Sequence, residues 1–123
     1  MTIARLILAL VAIAFGLATI VAGGRVLLGA DPGYVVYRPL LVFNTAMGFA
    51  YVAAGVLMWW GPERGARAAL AIFAVNLVVF AAIGVLYAAG GAVAVDSVRA
   101  MTLRTGVWLV LWLGLAWLKP RNA

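Results

Sequence analysis

Three polar side chains lie inside stretches that are otherwise apolar, and their types could do chemistry there. Asn44 occurs in "RPLLVFNTAMGFAY", Asn76 in "AVNLVVF" and Arg104 in "RAMTLRTGVW". In lipid, buried amides seek hydrogen-bond partners on neighbouring helices, and an ionisable residue at depth is a functional candidate. Thr45 and Thr105 add hydroxyl groups beside two of them. We therefore predict a polar cavity or helix contacts at Asn44, Thr45, Asn76, Arg104 and Thr105.

The side chains used most often for catalysis and metal binding are scarce in this chain. There is no cysteine or histidine, and the acids are only Asp31, Glu63 and Asp96. Thiol nucleophiles, a histidine base and thiolate or imidazole metal ligands are therefore excluded. We predict no catalytic residue, metal site or cofactor, with a bound quinone or lipid left open. An enzyme would have to use Arg104, an aspartate at the cavity rim and a bound cofactor.

Charged residues near Arg104 provide candidate ion pairs. If the fourth apolar segment begins at Ser97, Arg104 lies about 10 Å along it. Asp31, Asp96 and Arg99 are expected on the same side of the membrane. Arg104 could pair with one of these acids, snorkel to the interface, or serve a function at depth.

The overall composition indicates a membrane protein. Of the 123 residues, 68% are hydrophobic and only 12 are charged, which leaves too little polar surface for a small soluble domain. The nine basic residues stand singly at the edges of apolar runs. Contact with anionic lipid headgroups explains them better than nucleic-acid binding does.

Four apolar runs are long enough to cross a bilayer as helices, which takes about 20 residues each. Such runs must satisfy their own backbone hydrogen bonds, so helices are expected. The sequence predicts an all-α, integral membrane four-helix bundle, a single domain over 1–123. The predicted spans are residues 3–23, 40–60, 66–89 and 101–118.

Local signals refine the ends of these helices. Pro62 is placed for the first turn of the third helix, and Glu63 and Arg67 are spaced for an i, i+4 ion pair. Asp96 or Ser97 could cap the fourth helix before its apolar core.

The distribution of basic residues favours cytoplasmic termini. Four spans place both termini and the 61–65 loop on one side, which carries five basic residues against four on the other. The first group is Arg5, Arg64, Arg67, Lys119 and Arg121, and the second is Arg25, Arg38, Arg99 and Arg104. Tryptophans and tyrosines at 34, 37, 59, 60 and 117 fit the two interfaces.

Small residues recur at spacings that allow close helix packing. They are Ala12, Gly16, Thr19 and Gly23 in the first span, Gly48, Tyr51 and Gly55 in the second, and Gly106, Val110 and Gly114 in the fourth. Several aromatics either pack in the core and against lipid or wall a pocket. These are Phe43, Phe73, Phe80, Tyr87, Trp108 and Trp112.

The stretches "ARLILALVAIAFGLA", "FNTAMGFAYVAAGVLMW" and "RGARAALAIFAVNLVVFAAIG" resemble the DoxX-like group of small four-helix bacterial membrane proteins. In that group an acidic residue in the second helix is followed by glycines, and here Asn44 takes the acidic place before Gly48 and Gly55. The resemblance implies a bacterial inner membrane and association with quinone-linked or thiol-linked oxidoreductases. The change from acid to amide puts a charge or proton role at this position in doubt.

Two functional hypotheses follow. The first is a non-catalytic accessory or structural subunit of a larger or homo-oligomeric membrane complex, whose partners are lipids, other membrane subunits or itself. The alternative is a binder or transporter of a lipid, quinone or other hydrophobic small molecule, using Asn44, Asn76 and Arg104. Proton-coupled exchange through a membrane carboxylate is disfavoured, since all three acids stand at span edges.

Overall fold

The computed structural model describes residues 3–33, 36–91 and 93–118, and these form four helices. They are α1 (Ile3–Leu27), α2 (Arg38–Trp60), α3 (Pro62–Ala88) and α4 (Val95–Leu118). Each is long and apolar enough to cross a membrane. The all-α four-helix membrane bundle is thus confirmed, and the chain has the architecture of a multi-pass membrane protein. The predicted interface residue Tyr34 and the basic residues Lys119 and Arg121 lie outside the described residues.

α2, α3 and α4 begin before the predicted spans, and α1 ends beyond its span, whereas α3 ends one residue early. Turn chemistry sets the ends of α1 and α3. α1 and α3 both close with a glycine in the left-handed region, Gly29 at φ +112° and Gly90 at φ +81°. In each, two backbone bonds close the helix end: Gly29 to Val26 and Ala30 to Arg25 after α1, and Gly90 to Tyr87 and Gly91 to Leu86 after α3. Such paired bonds satisfy carbonyls that the last turn leaves free.

α4 begins six residues before the predicted start of its span, at Val95. Asp96 and Ser97 therefore lie within its first turn, and the prediction that one of them is the N-cap is wrong. The first turn tolerates this polar stretch because an acidic residue there is favoured by the helix dipole. At the hairpin between α2 and α3, Pro62 is the first residue of α3, as predicted.

Close packing joins α1 to α2. A Cβ added to Gly16 would lie 2.7 Å from the Gly48 carbonyl oxygen, and one added to Gly55 would lie 3.0 Å from the Ala9 carbonyl oxygen. The two backbones therefore touch, which confirms the small-residue prediction for this pair of helices. On α4 the same pattern is only partly used, since a Cβ at Gly106 would meet nothing within 4 Å.

The helices pack in chain order, and α1 and α4 touch each other only lightly. Two groups of buried apolar side chains fill the interior among the described residues. The larger group lies toward the termini and includes Tyr51, Met58, Trp108, Leu111 and Leu115. The smaller one lies toward the opposite end and consists of Leu40, Ile83, Val93 and Met101. The bundle is thus firmly closed toward the termini and leaves room for a cavity at its other end.

Candidate functional site

A polar contact lies at the centre of the bundle, between α2 and α3. The Asn76 amide donates through Nδ2 to the Tyr51 hydroxyl oxygen at 3.1 Å, and its Oδ1 lies 3.3 Å from the same oxygen. Both residues are fully buried. The Tyr51 ring packs against Trp108 with a centroid distance of 4.9 Å and against Phe15 at 5.5 Å. One side chain from each helix meets here, and we call Phe15, Tyr51, Asn76 and Trp108 the central junction.

A cavity of about 400 Å³ opens between α1, α2, α4 and the connection that follows α1. It lies at the end of the bundle away from the termini, and α3 contributes no lining residue. Its polar lining consists of Thr19, Arg25, Asp31, Tyr37, Asn44, Ser97 and Arg104. Its apolar lining includes Val26, Val36, Leu40, Leu41 and Ala100. We call this space the head cavity.

Two polar atoms at the head cavity have no hydrogen-bond partner among the described residues. These are Oδ1 of Asn44 and Nε of Arg104, and both atoms are buried. Thr105 Oγ1 and Trp108 Nε1, on the neighbouring turn of α4, are in the same state. Buried polar atoms normally find a partner, because an unmade hydrogen bond typically costs about 1–3 kcal/mol. Trp108 belongs to the central junction, so the head cavity is distinguished by the position of its own two orphaned atoms, on Asn44 and Arg104, beside open space.

Arg104 lies farther from the first residue of its helix than the sequence indicated. It follows Val95, the first residue of α4, by nine positions. That corresponds to about 13 Å of helical rise, compared with the expected 10 Å. Its hydrogen bond within the described structure is a long one of 3.5 Å from a terminal guanidinium nitrogen to the Ala100 carbonyl. The guanidinium also interacts with the Tyr51 hydroxyl, both through its charge and through a side-chain hydrogen bond. Arg104 therefore connects the head cavity to the central junction.

The predicted ion pairs do not form among residues 3–33, 36–91 and 93–118. There the ion pair is between Glu63 and Arg67, at 3.4 Å, which confirms that separate prediction. Asp31 instead accepts a hydrogen bond of 2.8 Å from the Gly33 backbone N–H. Asp96 and Arg99 are exposed to the surroundings of the bundle. Asp31 thus bonds within its own turn and Asp96 is exposed, so neither acid pairs with Arg104.

The five predicted site residues are distributed over different environments. Asn44 and Arg104 line the head cavity, whereas Asn76 belongs to the central junction. The two asparagines do not hydrogen-bond to each other, since Asn76 bonds to Tyr51 and the Asn44 oxygen has no partner among the described residues. Thr45 donates to the Leu41 carbonyl of its own helix at 2.8 Å, and Thr105 is buried without a partner. The structure therefore brings together only part of the predicted set.

Sequence reasoning missed two contributors. Tyr51 was expected only as part of a small-residue stripe, yet it is the hydrogen-bond partner of Asn76. Ser97, expected as a cap, is buried and lines the head cavity. A tyrosine in the middle of an apolar span was the available signal, since its hydroxyl needs a partner there. None of the six aromatics considered as pocket walls lines the head cavity.

The site offers hydrogen-bond donors, acceptors and cations, and no assembled metal-ligand set. Within the described ranges no three acidic side chains lie together as a metal site. No protein-family model, curated protein or solved structure matches this chain. The assignment of function therefore rests on the geometry of the head cavity.

Proposed function

We propose that this protein binds an amphiphilic molecule of the membrane and holds its polar head in the head cavity. One observation carries the proposal: a cavity of about 400 Å³ has buried polar atoms of Asn44 and Arg104 facing no partner among the described residues. The volume falls in the range of about 300–1,000 Å³ that ligand pockets occupy. This is the binder hypothesis, with Asn44 and Arg104 as its polar contacts.

The position of the cavity suits a ligand that stays in the bilayer. α1 and α4 both contribute lining residues, yet they pack against each other only lightly. A hydrocarbon chain could lie along the seam between these helices while the head occupies the cavity. The volume is too small for a complete two-chain lipid, so the chains of such a ligand would remain in contact with the bilayer. Apolar side chains such as Leu40 and Leu41 line the cavity beside its polar groups.

The second candidate function is the accessory or structural subunit of a larger or homo-oligomeric complex. Gly106 favours it, because the small-residue pattern of α4 is not used inside the chain at this position. An adjoining helix could approach closely there. The association with quinone-linked or thiol-linked oxidoreductases in a bacterial inner membrane, with cytoplasmic termini, stays a prediction from the DoxX-like resemblance and the charge bias.

Native mass spectrometry in a mild detergent tests the binding proposal. The purified chain is incubated with a lipid extract of the host membrane, and the bound masses are compared with those of Ala100→Trp. Ala100 lines the cavity, so a tryptophan there would fill the space and displace the ligand. Ala116→Trp is the matched control, because Ala116 lies on the same helix and is exposed.

We expect one retained amphiphile per chain in the wild type and in Ala116→Trp, and none in Ala100→Trp. Equal retention by all three proteins would place the amphiphile elsewhere and contradict the proposal. A stable complex with additional polypeptides and no amphiphile would favour the subunit function instead. The folded state of each variant is checked by its helical circular dichroism and its elution volume.

A further inference from the structure

Within the described ranges, Arg104 forms no ion pair with an acidic side chain. The guanidinium carries five N–H donors. The described residues engage it through one long bond to the Ala100 carbonyl and through a contact with the Tyr51 hydroxyl. Its Nε is buried and lacks a partner. A cation held away from water requires a counter-charge or a set of hydrogen-bond acceptors. Arg104 therefore has free capacity for an acceptor that enters the head cavity.

The three carboxylates of the chain do not meet this requirement. Asp31 lines the cavity, but it is exposed and already accepts the Gly33 N–H. Glu63 pairs with Arg67 at the opposite end of the bundle. Asp96 is exposed at the start of α4 and lines no part of the cavity. The neutral Tyr51 hydroxyl is engaged by Asn76 and supplies no negative charge.

The other polar groups of the head cavity limit which chemical groups the head of the bound amphiphile can carry. Arg25 lines its rim as a second cation, so two arginines face one aspartate. Asn44 presents an acceptor oxygen, which calls for a donor such as a hydroxyl group. Guanidinium groups bind phosphate and carboxylate oxygens strongly through parallel N–H donors. A head with an oxyanion and a neighbouring hydroxyl satisfies both orphaned atoms at once.

We infer that the amphiphile bound in the head cavity carries an oxyanion, a phosphate or a carboxylate, whose ligand is the Arg104 guanidinium. This inference rests on the proposed function, which it makes more specific. Asn44 accepts a hydroxyl of the same head, and Arg25 strengthens the attraction at the rim. Neutral amphiphiles of the same chain length occupy the cavity much more weakly.

The test compares phosphatidic acid with diacylglycerol of identical acyl chains. Phosphatidic acid has a phosphate, whose P–OH can donate to Asn44, in place of the free hydroxyl of diacylglycerol. Binding to the full chain in mild detergent is titrated by native mass spectrometry. The variants are Arg104→Gln, which removes the charge, and Arg104→Lys, which retains it. Arg99→Gln is the matched control, because Arg99 lies on the same helix, is exposed and does not line the cavity.

We expect the wild type and Arg99→Gln to prefer phosphatidic acid over diacylglycerol by about tenfold or more, since hydrogen bonds to charged groups have this strength. Arg104→Gln should lose the preference, and Arg104→Lys should keep part of it. Retention of diacylglycerol by Arg104→Gln shows that the variant still folds with an intact cavity. If Arg104→Gln does not fold, a preference for phosphatidic acid in the wild type that Arg104→Lys partly keeps supports the inference. The lack of that preference in the wild type contradicts it.

The outcomes separate this inference from the function on which it rests. Equal binding of both lipids by the wild type would overturn the inference that the head carries an oxyanion. It would leave the proposal that the protein binds an amphiphile. Binding of neither would contradict both proposals. Inorganic phosphate offered alone provides the remaining comparison. If it binds in an Arg104-dependent manner and as tightly as phosphatidic acid, the oxyanion is supported, the acyl chains contribute nothing, and the amphiphile is overturned.

Discussion

The asparagine of the central junction and the asparagine of the head cavity are in opposite states. In the junction, the fully buried Asn76 and Tyr51 satisfy each other at 3.1 Å, and the Tyr51 ring packs against Phe15 and Trp108. In the cavity, Asn44 and Arg104 each present a buried atom with no partner among the described residues. Two asparagines in neighbouring helices thus have different roles. The difference teaches that a polar residue in a membrane span indicates a binding site only when its own bundle leaves it unsatisfied.

Energetic reasoning supports this distinction. A satisfied interhelical hydrogen bond contributes about 0.6–2 kcal/mol and holds two helices in register. An unsatisfied buried group destabilises the fold, so its retention calls for a compensating role. The central junction therefore stabilises the bundle, whereas the head cavity is available to bind a ligand. The predictions below challenge or refine this division.

The largest expected effect is at the junction. Tyr51→Ala removes a fully buried ring that packs on Phe15 and Trp108 and leaves Asn76 without its partner. We expect a loss of about 3–5 kcal/mol in the free energy of unfolding, measured by reversible denaturation in mixed micelles. Tyr87→Ala, at an exposed tyrosine of α3, should change it little. Equal losses for the two variants would refute the structural role of the junction.

The two asparagines provide a direct comparison with one chemical change. Asn76→Leu leaves the Tyr51 hydroxyl unpaired and should reduce the free energy of unfolding by about 1–2 kcal/mol. Asn44→Leu breaks no hydrogen bond of its side chain among the described residues, so stability should stay the same or rise slightly. Ligand retention should respond in the opposite sense, falling in Asn44→Leu and persisting in Asn76→Leu. Both are measured on the same preparations by denaturation and native mass spectrometry, and a matching response of the two variants would contradict the division.

A smaller effect is expected at the rim of the cavity. Asp31→Asn removes a negative charge near the proposed oxyanion while keeping an acceptor oxygen for the Gly33 N–H. Phosphatidic acid should bind about two- to fivefold more tightly, because charge interactions at exposed sites are weak and screened. Asp96→Asn, an equal charge change outside the cavity, is the control. Weaker binding in Asp31→Asn would instead show that the carboxylate contacts the ligand directly.

The smallest expected effect on stability is at the hairpin between α2 and α3, outside both the central junction and the head cavity. Glu63→Gln breaks the ion pair with Arg67 at the hairpin, where both side chains are more than half exposed. The free energy of unfolding should change by less than about 0.5 kcal/mol, as for other exposed helix pairs. Lipid retention should remain at the wild-type level, measured by the same titration. A change in lipid binding here would mean that the two ends of the bundle are coupled.

Much of the fold was predictable because hydropathy alone determines which segments cross a bilayer. The four spans, the Pro62 helix start and the Glu63–Arg67 pair follow from composition and spacing. The helix ends were less predictable, since Gly29 and Gly90 close α1 and α3 by specific backbone bonds. The sequence indicated that α4 starts before its apolar core, and the observed start at Val95 lies slightly before the expected caps at Asp96 and Ser97.

The site was predictable as a set of residue types and not as an arrangement. Sequence indicated Asn44, Asn76 and Arg104 as the polar residues that apolar spans must accommodate. It could not assign a partner to any of them, because a hydrogen bond requires two groups from different helices at the same depth and orientation. The pairing of Asn76 with Tyr51 depends on how α2 and α3 are rotated toward each other.

The sequence by itself determined that the chain lies in lipid, which segments are helices, and which polar residues are candidates for a site. Each of these follows from local composition and periodicity. Only the tertiary structure decided that Asn76 is satisfied while Asn44 and Arg104 are not. It also decided that a cavity forms between α1, α2 and α4. The physical reason is that helix rotation and close packing, as at Gly16 and Gly48, determine which side chains meet and where space remains.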